Sequence, residues 1–81
     1  MKTKILLFAH LKDKAGTREA EIELPARASA ADLKTRLAET YPALKPALAN
    51  AIVAVNREFM ADEALIPEGA EIAIFPPVSG G

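Results

Sequence analysis

Cysteine is absent from the 81 residues. Its absence excludes disulfides, thiolate metal sites and a cysteine nucleophile on the chain itself. Histidine occurs once, at His10, which excludes a histidine metal cluster. Ten Lys and Arg stand against eleven Asp and Glu, and a net charge of -1 provides no basic footprint for nucleic acid. No apolar stretch approaches the ~18 residues that a membrane span requires. The opening MKTKILLFAHLKDK has the basic start and short apolar run of a signal peptide. The run is too short, however, and lysine and aspartate soon interrupt it, so it reads as a strand. The expectation is a soluble, cytoplasmic protein with no nucleic-acid or membrane partner.

What is present is a chain that is 51% apolar, enough for a core in one small domain. Lys2 to His10 is rich in strand formers (Ile5, Leu6, Leu7, Phe8) and suits a central strand. LKDKAGT then breaks the pattern, with Gly16 as a turn residue. Glu19 to Leu24, EAEIEL, is the clearest period-two strand, apolar on one face and acidic on the other. These two strands are expected to form a hairpin. Ser29 caps a helix with Asp32 at the capping-box spacing, and Ala30, Leu33, Leu37 and Tyr41 mark its apolar stripe. Pro42 stops it. A short helical turn is expected near Leu44 to Leu48. Ile52 to Val55, a tight turn at Asn56-Arg57, Glu58 to Met60, and Glu71 to Phe75 complete the strands.

A single helix covers one face of a sheet, so the order implies an α+β, β-grasp (ubiquitin-like) domain over 1–75: a mixed sheet of four to five strands with one main helix across it. Strand alternation places Ile5, Leu7, Ile72 and Ile74 toward the helix. It leaves Leu6, Phe8 and Phe75 on the opposite face, where Phe59 can join them as a protein-binding surface.

The ending FPPVSGG raises a separate question. It is either a frayed end or a tool whose working part is the Gly81 carboxylate. Pro76 and Pro77 cannot continue a sheet ladder and favour extended backbone. Residues 76–81 are expected to form an extended, flexible tail of about 20 Å, at ~3.3–3.6 Å per residue. Its tip, Val78, Ser79, Gly80 and Gly81, is slender enough to enter a narrow channel. A carboxylate is a poor electrophile, but joined to AMP it becomes a good one, and sulfide can then replace AMP to leave a thiocarboxylate. The chain offers no evident nucleophile–base pair, so other proteins must supply that chemistry.

Over essentially its whole length the sequence resembles the MoaD family of ubiquitin-like sulfur carriers, the small subunits of molybdopterin synthase. FAHLKDKAGT, VNREFM and EGAEIAIFPPVSGG carry the likeness, and FPPV-x-GG is its most specific part. Ser79 stands where the family often has alanine or threonine. The resemblance implies that an E1-like enzyme, using ATP and magnesium, adenylates Gly81, and that a sulfurtransferase yields the thiocarboxylate. The carrier itself binds no cofactor or metal. It then docks on the large subunit, in a heterotetrameric synthase, and inserts its tail, residues Pro76 to Gly80, so that the sulfur reaches a pterin precursor in molybdenum cofactor biosynthesis. By the same likeness Phe8, Phe59 and Phe75 form the hydrophobic contact, which Leu6 is expected to join from its place on the same face.

Two alternatives stay open on the sequence: a carrier of the thiamine or tRNA-thiolation pathway, and a non-covalent β-grasp interaction module. Other charged groups have plainer readings. His10 is a solvated strand-end residue, and Glu19, Glu21 and Glu23 form a solvated face. Asp62-Glu63 belongs to a connector. Lys12, Lys14 and Arg18 serve solubility, with steering of an acidic partner as the alternative.

Overall fold

The computed structural model describes residues 1–76. The expected tail, apart from Pro76, lies outside the described residues. Five strands are present: β1 (Lys2–Leu7), β2 (Glu19–Glu23), β3 (Ile52–Val55), β4 (Glu58–Met60) and β5 (Ile72–Phe75). They form one mixed sheet in the order β2-β1-β5-β3-β4. The central β1–β5 pair is parallel, and the other pairs are antiparallel. The helices are α1 (His10–Ala15), α2 (Ala30–Thr40) and α3 (Lys45–Leu48), with a 3-10 turn over Pro42–Leu44 leading into α3. This is the β-grasp arrangement that the element order implied.

The faces divide as the alternation requires. Ile5, Leu7, Ile72 and Ile74 are buried together with Leu33 and Leu37 of α2. The capping box at Ser29 is complete. Its Oγ accepts from the Asp32 N–H at 3.1 Å, and its own N–H donates to Asp32 Oδ2 at 3.0 Å. The connector after β4 satisfies two more of the orphan donors of this helix end, Ala30 N–H to the Ala64 carbonyl and Ala31 N–H to the Asp62 carbonyl. Asp62 also pairs with Lys34 at 3.0 Å, so this connector is fastened along α2. Ser29→Ala should cost about 1 kcal/mol. That loss lowers the melting temperature by roughly 4–8 °C in a domain of this size, measurable by calorimetry.

Two expectations fail near the N-terminus. The first strand stops at Leu7, not His10, and LKDKAGT is not a turn but holds most of α1. Consequently β1 and β2 pair antiparallel as expected, but the connection between them is a helix and not a turn. Ala9, with φ 54, breaks the strand, and Gly16, with φ 78, ends the helix by donating its N–H to the Lys12 carbonyl. The physical reason is burial. Leu11 is fully enclosed in the core, and a helical turn brings it there while its polar neighbours stay in water. Gly16 in a left-handed conformation is a helix terminator of the kind glycine commonly provides.

The Asn56-Arg57 turn is as expected. Both residues have positive φ, 51 and 70, in a two-residue connection that leaves Val55 opposite Glu58. That pair of angles is characteristic of a type I′ hairpin turn.

Candidate functional site

Registers across the sheet decide which side chains meet on its open face. Leu6 lies opposite Ala73, Ala73 opposite Ala54, and Ala54 opposite Phe59. One row therefore crosses four strands, with two alanines at its centre. Two residues further along β5, Phe75 lies opposite Ile52. Phe8 follows the end of β1 and donates its N–H to the Ile74 carbonyl at 3.3 Å. The Phe8 and Phe75 rings stack, with centroids 4.7 Å apart and planes within 13°.

The outcome is a shallow bowl. Ala54 and Ala73 give it a low floor because they have no side chain beyond Cβ. Leu6, Phe8, Phe59 and Phe75 stand around them. Phe59 is 76% exposed and Phe8 41%, while Leu6 and Phe75 are half-buried. Exposed aromatics around a concave apolar surface are the usual anatomy of a protein-docking site. The structure thus brings together all four residues that the sequence assigned to this face.

Sequence reasoning missed the floor. The small residues Ala54 and Ala73 carry no signal alone, and only the register places them side by side. It also missed the polar rim, where Arg57 and Glu71 face each other with Nε 3.9 Å from Oε1. Asn56 ties this rim to the sheet: its N–H donates to the Glu71 carbonyl, and its Oδ1 accepts from the Glu71 N–H.

The bowl runs along β5, from Glu71 just before it to Phe75 at its end. Its Phe8–Phe75 wall stands where β5 runs into Pro76, so a partner covering that wall lies beside the start of the expected tail. Pro77, Val78, Ser79, Gly80 and Gly81 fall outside the described residues. Of the other charged candidates, Glu19 lies opposite Leu6 at the edge of the bowl, and the rest do not line it. His10 is exposed on the first turn of α1. On the charged half of the open face Lys4 pairs with Glu19 at 3.6 Å. Among the described residues no group of three His, Cys, Asp or Glu is placed to hold a metal ion, and no helix is long and apolar enough to cross a membrane.

Comparison with known proteins agrees with this architecture. The sequence profile of the ThiS family matches residues 5–81. A molybdopterin synthase sulfur carrier subunit of Chlamydomonas reinhardtii is 35% identical, covering 100% of both chains. Its counterpart in Dictyostelium discoideum is 40% identical over 96% of this chain and 94% of that one. Among solved structures, SAMP1 from Haloferax volcanii superposes with a TM-score of 0.85, at 30% identity and with both chains fully covered.

Proposed function

Because this chain belongs to the ThiS family, we propose that it is the sulfur-carrier subunit of a molybdopterin synthase and acts in the cytoplasm. Support comes from the full-length likeness to sulfur carrier subunits of that name. The observation that carries the proposal is the aromatic bowl beside the strand that leads into the Gly-Gly tail.

The proposed cycle has three steps. A carboxylate oxygen of Gly81 attacks the α-phosphorus of ATP, held with magnesium on an E1-like enzyme, and pyrophosphate leaves. Sulfide, released from a sulfurtransferase persulfide by a thiol reductant, then attacks the glycyl carbonyl and expels AMP, which leaves the thiocarboxylate. Finally the carrier docks its bowl on the large subunit, and residues 76–80 deliver the sulfur to the pterin precursor there, in a heterotetrameric assembly. This chain's own contribution is mechanical: a rigid sheet, an apolar docking face and a slender reach. Holding the tail by a face away from the reacting atoms lets binding at the bowl position Gly81 without crowding it.

Intact mass tests the proposal. Incubation with ATP, magnesium, the E1-like enzyme and a sulfur source should add about 16 Da, the difference between sulfur and oxygen, confined to the C-terminal peptide. The loaded chain should then lose that mass to the large synthase subunit and precursor. A mass gain on an internal lysine, with an unchanged C-terminus, is incompatible with the proposal. Transfer to a thiazole- or tRNA-modifying enzyme instead would assign the chain to a different sulfur pathway.

A further inference from the structure

The hairpin turn accounts for the backbone of Arg57 but not for its side chain. Its backbone is left-handed, with φ 70, where a glycine would sit at ease and an arginine does not. An Asn-Gly pair suits this turn better. The side chain is 90% exposed. Its contact with Glu71 at 3.9 Å is too long for a hydrogen bond, and an ion pair this exposed adds little to stability. A strained residue whose side chain does nothing for the monomer points to a use outside it.

Its position says what that use is. Arg57 stands on the rim of the bowl, across from the Phe8–Phe75 stack. An apolar floor accepts an apolar side chain, and a guanidinium on the rim accepts a carboxylate through its planar fork of donors. We propose that Arg57 is a specificity-determining residue of the docking face. It pairs with a carboxylate on the partner segment whose apolar side chain fills the bowl between Phe59 and the phenylalanine stack. The inference rests on the reading of this chain as the small synthase subunit, so the partner is the large subunit. Glu71 sharpens the selection. Its backbone is bonded in both directions to Asn56, which holds Glu71 beside the turn that carries Arg57. It repels an acidic group that enters on its own side and leaves the Arg57 side as the acceptable one. The apolar anchor supplies affinity, and the charge pair sets register and partner choice.

The test uses the full chain and the purified large subunit of molybdopterin synthase, with calorimetric binding at about 50 mM and about 500 mM NaCl, across which exposed charge pairs become screened. Arg57→Gly should melt ~2–4 °C higher than the parent chain, because glycine relieves the left-handed strain. It should bind roughly tenfold more weakly at low salt, and the difference should shrink at high salt. Arg57→Glu should bind more weakly still at low salt. Phe59→Ala should lose affinity to a similar degree at both salt concentrations, because its contact is apolar. Arg57→Gly binding like the parent at both salt concentrations overturns the role of Arg57 and leaves the function standing. So does a loss of affinity in Arg57→Gly that is equal at both. A parent chain that does not bind the large subunit at either salt overturns both.

Discussion

A chain lacking Gly81 should lose sulfur transfer by at least ~100-fold while its melting temperature stays within about 2 °C of the parent. In the proposed cycle the reactive carbon is the last in the chain. One extended residue spans ~3.3–3.6 Å. Removing it withdraws the carboxylate by that distance from both the activating and the accepting active site. A misplacement of about 1 Å can already cost ~10²-fold in rate. One residue added after Gly81 should be as damaging, because it pushes the carboxylate forward by the same distance. The last core member among the described residues is Ile74, well before Gly81 in the sequence. Terminal residues outside a packed core are the ones whose loss a fold tolerates. The measurement is single-turnover transfer from the loaded carrier, beside a melting curve of each variant. Full transfer by the shortened chain would mean that Gly81 does not carry the sulfur.

Neighbouring residues on β5 should separate folding from docking. Ile74 has no exposed surface and lies under α2 with Ile5 and Leu33. Ile74→Ala should cost ~2–5 kcal/mol through lost burial and the cavity left behind. In a domain whose whole stability is of the order of 5–15 kcal/mol, that is a large share. Phe75 points to the other face, where it is half-buried and stacked on Phe8. Phe75→Ala loses that stack, worth ~0.5–1.5 kcal/mol, together with the area its ring buries on this face, and should cost less folding stability than the cavity left by Ile74→Ala. Its larger effect should be on the large subunit, with affinity falling at least ~tenfold, because truncating an interface anchor commonly costs ~2 kcal/mol or more. Chemical denaturation and calorimetric binding on both variants check this. Equal losses of stability would place Phe75 in the core. Intact binding by Phe75→Ala would move the docking site elsewhere.

Local chemistry alone determined much of this protein. The alternation of EAEIEL, the Ser29–Asp32 pair, the stop at Pro42 and the Asn56-Arg57 turn each specify structure through contacts within a few residues, and each is realised. The outward set of Leu6, Phe8 and Phe75 comes from the period of a strand, with no knowledge of which strands pair. Segment 10–15 was also legible in principle. Leu11 and Ala15 are four apart, lysines fill the last turn and Gly16 comes next, which are helix signals that the expectation of a hairpin overrode.

Tertiary structure alone decided the rest. Nothing in LKDKAGT says that Leu11 must reach the core, because that depends on how much apolar surface the sheet and α2 leave uncovered. Nothing in the spacing of Ala54 and Ala73 says that they adjoin. The parallel β1–β5 pairing and the antiparallel β3–β5 pairing place them in one row, and those pairings join segments far apart in the chain. The bowl, its aromatic wall and its Arg57–Glu71 rim are therefore products of register. Register is a long-range property, set when the hydrophobic faces of distant strands are buried together.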